Sequence, residues 1–354
     1  MRRALALARR GWGLTAPNPM VGAVVVHDGQ VVGEGYHARY GEPHAEVMAL
    51  AAAGERARGA TLFVTLEPCN HQGKTPPCVD AVIAAGITRV VAAVADPNPV
   101  ATGGAARLRA AGITVEFGSE RDAAVELNAA FFHAATSPKR PWVTLKLAVS
   151  VDNAIANASR EPRWLTGDAA RHYVHRLRAV NDAIAVGVGT ALADDPALTV
   201  RHGRRPRQAP LRVVFDRKAR LPETSQLVKT TRRIPTVVVA ESPDVERRAT
   251  LERRGVEVLV AQGLEAGLEA LWNKGVRSLF VEGGAELSQA LLAAGLVDRL
   301  IIFQAPVLLG PGALQAFTGP PPAERFRVVE RREFGDDLMA VYALHELPFA
   351  APGV

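Results

Sequence analysis

Four residues in the first third of the chain have types and spacing that could do chemistry: His44, Glu46, Cys69 and Cys78. The two cysteines are the only ones among 354 residues, and they bracket the run Pro68-Cys69-Asn70-His71-Gln72-Gly73-Lys74-Thr75-Pro76-Pro77-Cys78. A disulfide is one reading of the pair. A metal is the better one, because thiolates and an imidazole suit zinc, and three protein ligands leave a fourth position for water. Pro43 before His44 and Pro77 before Cys78 predict that both ligands sit at the first turn of a helix. There the positive end of the helix dipole favours a thiolate at Cys78. At a helix start His44 and Glu46 can face one pocket, so that Glu46 takes a proton from metal-activated water and hands it to a leaving amine. A closed site with His71 as fourth ligand is the competing reading, and it leaves Glu46 without a role. His37 reads as a polar surface or core residue following a strand.

The elements that must position these residues follow from hydrophobic pattern and turn chemistry. Residues 1–12 read as an amphipathic helix rather than a signal peptide, since Arg9 and Arg10 cut its apolar stretch short. Strands are predicted at 20–27 and 30–35, joined by the turn pair Asp28-Gly29. A helix over 44–53 ends at Gly54, a strand over 60–65 delivers the chain to the Cys69 loop, and a helix over 78–85 ends at Gly86. A strand at 90–95, a turn at 96–99, and helices at 105–111 and 121–135 complete this half. After a Pro-rich joint at Pro138-Lys139-Arg140-Pro141, strands are predicted at 142–150, 183–188, 211–216, 236–240, 256–260, 278–282 and 300–307. Helices are predicted at 168–179, 246–254 and 285–294, and the tail from Pro348 reads as disordered. Alternating strands and helices imply two unlike α/β domains, 1–138 and 139–354.

Composition narrows the function classes. The chain is 48% hydrophobic and 22% charged, ordinary for a soluble globular protein. No apolar run reaches the roughly 20 residues of a membrane span, and reduced thiols suit a cytoplasmic location. The net charge of +6 and pI near 9.7 invite a nucleic-acid reading. The arginines are scattered, however, outside Arg201-His202-Gly203-Arg204-Arg205-Pro206-Arg207, and few aromatics interleave with them. Small anionic substrates suit such a surface equally well. In the second half, Val186-Gly187-Val188-Gly189-Thr190 and Val281-Glu282-Gly283-Gly284-Ala285 read as strand-to-helix junctions able to present N–H groups to phosphate. Either could also be a tight turn without a ligand, and neither is a Gly-x-Gly-x-x-Gly.

His44-Ala45-Glu46 together with Glu67 through Cys78 resembles the deaminase half of the bifunctional riboflavin-biosynthesis deaminase/reductase family. Other zinc deaminases usually place two residues between the cysteines; here residues 70–77 intervene. Asn18-Pro19-Met20-Val21-Gly22 and Asp96-Pro97-Asn98-Pro99 also look like this family. Lys146 through Asp152, Trp164-Leu165-Thr166, Leu177-Arg178-Ala179, Gly189 through Arg201 and Val281 through Gly284 look like its reductase half, so the match runs over roughly 1–345. The resemblance implies a cytidine-deaminase-like α/β/α sandwich followed by a dihydrofolate-reductase-like α/β domain. It implies one zinc on His44, Cys69 and Cys78, with Glu46 catalytic, and NADPH along Ala148, Trp164, Thr190, Asp194 and Gly284. It also implies a phosphorylated pyrimidine held by Lys146, Arg178, Leu198, Arg201 and Glu282, with arginine forks suited to phosphate.

The expected reactions are deamination of 2,5-diamino-6-(5-phosphoribosylamino)pyrimidin-4-one, then reduction of the ribosyl group to ribityl. Residues 70–77 are expected to form a substrate-facing wall, with His71 and Lys74 as contacts. The sequence departs from the family pattern at Val100–Gly104, at Asn153 where glycine is usual, and at Pro162 where serine is frequent. Alternatives are a deaminase whose second domain does not reduce, a zinc-stabilised nucleic-acid-binding protein, and a nucleoside or tRNA deaminase. No membrane partner is expected, and the oligomeric state, a homo-oligomer included, is left open.

Overall fold

The computed structural model describes residues 1–136, 139–160, 164–317, 319, 326–345 and 347. Pro138, Pro162 and the tail from Pro348 lie outside the described residues. Two compact units form: Met1–Ser137, which Leu347 joins, and Pro138–Glu346.

The first unit is built on a five-stranded sheet: β1 (Gly22–His27), β2 (Gln30–Tyr36), β3 (Thr61–Val64), β4 (Arg89–Ala92) and β5 (Thr114–Phe117). Its order is β2-β1-β3-β4-β5, with β1 antiparallel to both neighbours and β3, β4 and β5 parallel. Asp28 and Gly29 take φ of 48° and 75°, the left-handed pair that a two-residue hairpin needs. Alternation along β1 divides the core. Ala23 and Val25 enter the larger cluster, which holds α2 (Ala45–Ala53), α3 (Cys78–Ala84) and α4 (Gly104–Ala110). Val24 and Val26 face Ala4 and Leu7 of α1 (Arg2–Ala8) instead. Helices therefore cover both faces, the α/β/α arrangement expected.

Two glycines set how closely the helices approach. A Cβ on Gly35 of β2 would lie 2.4 Å from Ala45 O and Ala49 N, so α2 rests on bare strand backbone with its His44 end fixed. A Cβ on Gly104 would lie 1.9 Å from Pro68 O, so the start of α4 seats the loop that carries Cys69.

Two expectations for this unit need correction. β5 is a strand in the stretch between the helices expected at 105–111 and 121–135, where no element was assigned. The single helix expected over 121–135 is two, α5 (Arg121–Leu127) and α6 (Ala129–Thr136), broken at Asn128, whose φ is −120° and ψ 29°. At Val100–Gly104 the loop closes by local bonds, with Ala101 N donating to Asn98 O (2.9 Å) and Asn70 N to Ala101 O (3.1 Å).

The second unit carries β6 (Trp142–Val149), β7 (Ala154–Ala156), α7 (Asp168–Ala179), β8 (Ala183–Gly187), α8 (Val188–Asp194), β9 (Leu211–Phe215) and α9 (Gln226–Lys229). It continues with β10 (Thr236–Ala240), α10 (Val245–Arg253), β11 (Glu257–Val260), α11 (Gly263–Asn273), β12 (Ser278–Glu282), α12 (Ala285–Ala293), β13 (Arg299–Gln304), β14 (Leu314–Gln315), β15 (Arg327–Phe334) and β16 (Asp337–Ala343). Nine strands run in the order β11-β10-β9-β8-β12-β6-β13-β16-β15. From β11 to β13 they are parallel, while β16 and β15 add antiparallel strands at one edge. The central strands are nearly continuous apolar runs, as expected of strands buried on both faces.

The short β7 and β14, the helix α11 and the charged β15–β16 hairpin were not foreseen. The hairpin sequence Arg327-Val-Val-Glu-Arg-Arg-Glu-Phe334 is mostly exposed, and its charges hide the strand period. Asn153 takes φ 57°, the left-handed conformation that asparagine tolerates in place of glycine.

Candidate metal centre and cofactor cavity

In the first unit, three segments meet behind the sheet. His44 is the N-cap of α2, Glu46 lies in its first turn, and Cys78 is the first residue of α3. Cys69 comes from the loop after β3. Glu67 holds that loop in place: it is buried, and its carboxylate accepts N–H bonds from Ala105 (2.8 Å) and Asp96 (3.2 Å). Ligand atoms of His44, Cys69 and Cys78 all lie within 4.8 Å of one another. His44 Nδ1 is 3.2 Å from Cys78 Sγ and 3.6 Å from Cys69 Sγ.

Tetrahedral zinc, with bonds of about 2.05 Å to nitrogen and 2.3 Å to sulfur, places such pairs roughly 3.6 Å apart. The donor set and its spacing therefore fit zinc. His71 is not part of this cluster, so among the described residues no fourth protein donor closes the site. Its Nδ1 is instead buried without a hydrogen-bond partner on the wall of the adjoining pocket.

The thiolate that the helix dipole favours at Cys78 falls instead on Cys69. The Cys78 thiol holds Cys69 down at about 4, with His44 and the Cys78 backbone N–H assisting. The same hydrogen bond, together with burial, pushes Cys78 upward. Glu46 is 4% exposed, and burial lifts its carboxyl to about 7, the range of a group that both takes and gives protons near neutrality.

A cavity of about 420 Å³ opens beside the trio, lined among others by Asn18, His37, Glu46, Lys74, Asp96 and Phe131. His71 and Lys74 do face it, as expected of residues 70–77. His37 is no surface residue. It is 2% exposed and meets His44 edge-on with ring centroids 5.3 Å apart. Phe131 was missed altogether, since nothing in local sequence marks it as belonging to a pocket otherwise built from residues 17–101.

In the second unit a cavity of about 1130 Å³ lies at the C-terminal ends of the parallel strands, the usual ligand crevice of such sheets. Lys146 and Ala148 of β6, Trp164, Thr190 and Asp194 of α8, Arg178 of α7, Arg201, Glu282 and Gly284 all line it. Both glycine-rich junctions border it: Gly187 caps α8 and Gly284 caps α12, the latter with space so close that a Cβ would sit 2.6 Å from Thr190 Oγ1. Bare helix N-termini, a long crevice and an exposed aromatic, Trp164, suit a dinucleotide such as NADPH.

Leu198 alone among the expected contacts does not line the cavity. It is 3% exposed, with φ 46°. Arg178 is engaged within the protein: its Nε and Nη2 form a fork on Glu282, the latter bond 2.9 Å, and Nη1 donates to Thr199 O at 2.8 Å. Burial alone would raise the Glu282 carboxyl, but Arg178 and then Lys146 hold it below the ordinary value. Burial lowers the Lys146 ammonium, with Glu282 opposing.

A zinc trio with an adjacent buried carboxylate, joined in one chain to a nucleotide-sized crevice, defines a zinc deaminase coupled to a reductase. Comparison with known proteins makes this specific. Residues 1–94 match the cytidine and deoxycytidylate deaminase zinc-binding region, and residues 141–340 match the RibD C-terminal domain. The chain is 42% identical over 348 residues to riboflavin biosynthesis protein RibD of Aquifex aeolicus, covering 97% of each. With RibD of Escherichia coli it shares 43% over 360 residues and 96% of each. The solved structure of Acinetobacter baumannii RibD superposes with a TM-score of 0.83 at 40% identity, over 97% of both chains. A Thermotoga maritima diaminohydroxyphosphoribosylaminopyrimidine deaminase/5-amino-6-(5-phosphoribosylamino)uracil reductase gives 0.82 at 35%, again over 97% of both. The chain belongs to the RibD family of riboflavin biosynthesis proteins.

Proposed function

We propose that this chain performs both the deamination and the reduction in riboflavin biosynthesis, the first within residues 1–138 and the second within 139–354. The observation that carries the reading is the coexistence of the His44/Cys69/Cys78 trio with Glu46 and the crevice around Lys146 and Glu282. Zinc, held by His44, Cys69 and Cys78, supplies activation of water in the first reaction. Glu46 accepts the proton released from that water and delivers it to the amine departing from the diaminopyrimidine ring. Lys74 and His71 face the same pocket and contact the phosphoribosyl-bearing substrate.

NADPH supplies hydride in the second reaction, which converts the ribosyl group to ribityl. Ala148, Trp164, Thr190, Asp194 and Gly284 hold the cofactor. Arg201 and Arg178 bind the phosphorylated sugar, Arg178 chiefly by fixing Glu282 and the Thr199 carbonyl. Leu198, buried and outside the crevice lining, is not among the sugar's contacts. The ligand is a small phosphorylated pyrimidine and not nucleic acid. No described helix is long and apolar enough to cross a membrane, and a cytoplasmic location keeps both thiols reduced.

A paired assay tests the reading. Ammonia release and NADPH oxidation are measured for the wild type and Glu46→Gln. The variant is expected to lose about 10²- to 10⁴-fold in ammonia release, while it still reduces supplied 5-amino-6-(5-phosphoribosylamino)uracil. Wild-type protein that does not oxidise NADPH at saturating deaminated substrate overturns the reductase assignment. Full ammonia release by Glu46→Gln overturns the role of Glu46.

A further inference from the structure

The matched deaminase region ends at residue 94, yet the deaminase pocket is finished by the arm that follows it. Phe131 of α6 lines the pocket, as do Pro17, Asn18 and Pro19. Asn128, 7% exposed, stands at the break between α5 and α6, just before Phe131 in the chain.

Its side chain does what a paired strand would do. Met20 N donates to Asn128 Oδ1 at 2.8 Å, and Asn128 Nδ2 donates back to Met20 O at 2.9 Å. Both main-chain polar groups of Met20 are thus satisfied by one amide, a match available only to asparagine or a longer homologue. The connection continues inward. Asn18 Nδ2 lies 3.3 Å from His37 Nε2, and His37 Nδ1 lies 3.2 Å from Pro43 O, next to the zinc ligand His44. The carbonyl of Pro43 can only accept, so His37 carries its proton on Nδ1 and receives the Asn18 amide on Nε2.

The geometry points to Asn128 as a positioning residue for deamination. It ties Met20, next to the lining residues Pro17, Asn18 and Pro19, to the arm that carries Phe131, which makes the α5–α6 arm part of substrate recognition. Its side-chain bonds go to Met20, whereas the zinc ligands and Glu46 come from the segments 44–46 and 69–78 and make none with it. Loss of Asn128 should therefore weaken substrate binding while leaving the metal in place.

The inference rests on the deaminase reading above, and the experiment separates the two. Glu46→Gln provides a form that binds the diaminopyrimidine substrate without turnover. The dissociation constant of that substrate is measured by calorimetry for Glu46→Gln with and without Asn128→Ala, and zinc is counted for each. On an otherwise wild-type background, KM and kcat of ammonia release are measured for Asn128→Ala and Asn128→Asp.

Asn128→Ala is expected to retain zinc and raise both KM and the dissociation constant about 10-fold or more, with kcat changed far less. Asn128→Asp keeps the acceptor for Met20 N–H and loses the donor, so it should fall between. Val115→Ala, on β5 in the core of the same unit, serves as the control for loss of stability alone and should leave KM unchanged. If Asn128→Ala binds substrate like its parent, or if Val115→Ala shifts KM as much, the positioning role is wrong. If Glu46→Gln itself still releases ammonia, it is the underlying functional reading that fails.

Discussion

Replacing Arg178 by methionine tests whether the floor of the reductase crevice is an interior ion pair or a wet one. The substitution keeps the aliphatic stem of the side chain and removes the guanidinium with its charge and donors. Arg178 and Glu282 side chains are 11% and 16% exposed, and the guanidinium makes a two-pronged contact with the carboxylate and a third bond to Thr199 O. Removing one partner of a buried pair costs about 3–5 kcal/mol, because the other charge stays behind. Lys146 remains near Glu282 and the crevice admits some water, which places the effect near the lower end, about 3 kcal/mol.

For a unit of this size each kcal/mol corresponds to about 2–4 °C, so the second unit should melt roughly 6–12 °C earlier at neutral pH. The sign of the pH dependence follows from Glu282. Its folded pKa lies below the ordinary 4.5. The stability it contributes is therefore complete above that value and is lost as the pH falls through the folded pKa. Calorimetric scans should show the gap between wild type and variant widest above about pH 5 and narrowing below it. In a double-mutant cycle, adding Glu282→Gln should recover part of the loss. A gap below about 1 kcal/mol, insensitive to pH, would refute the reasoning and class the pair with solvent-screened surface bridges.

Other outcomes are expected. Cys69→Ser and Cys78→Ser should each reduce bound zinc, read by elemental analysis, to near none and abolish ammonia release, while NADPH oxidation on supplied deaminated substrate persists. Gly104→Val forces a Cβ into space 1.9 Å from Pro68 O; it should destabilise the first unit by about 1–3 kcal/mol and speed zinc loss to a chelator. His175 is pushed down to about 4, first by burial and then by Arg178, Arg201 and His202. Its contribution to stability should be complete above about pH 6.5 and drain away as the pH falls towards 4. An imidazole NMR signal titrating near 6.5 would contradict that placement.

The zinc trio was legible because its information is local: proline before each helix start, and two thiols in a loop that cannot be anything regular. Strands β1 to β4 were legible for a similar reason, as apolar runs bounded by turn residues. Three features were not. Asn128 acts on Met20 across the whole first unit, and a helix-long pattern over 121–135 gives no hint of where it breaks. The ion pair of Arg178 with Glu282 turns two expected substrate contacts into partners of each other, a fact of three-dimensional packing alone. The β15–β16 hairpin is exposed and charged, so its strands lack the alternation by which the buried ones announce themselves.

The closeness of Cys69 and Cys78 also bears on handling. Their Sγ atoms lie within 4.8 Å, and a disulfide needs about 2.05 Å, a gap a loop and a helix start can close. Stripped of metal in air, the protein would have its own oxidation as a competing fate, one that zinc blocks by occupying both sulfurs. Preparations exposed to chelators should therefore be kept under thiol reductant until they are reloaded. A sample that refuses zinc after such treatment should be checked for its thiol count before it is judged misfolded.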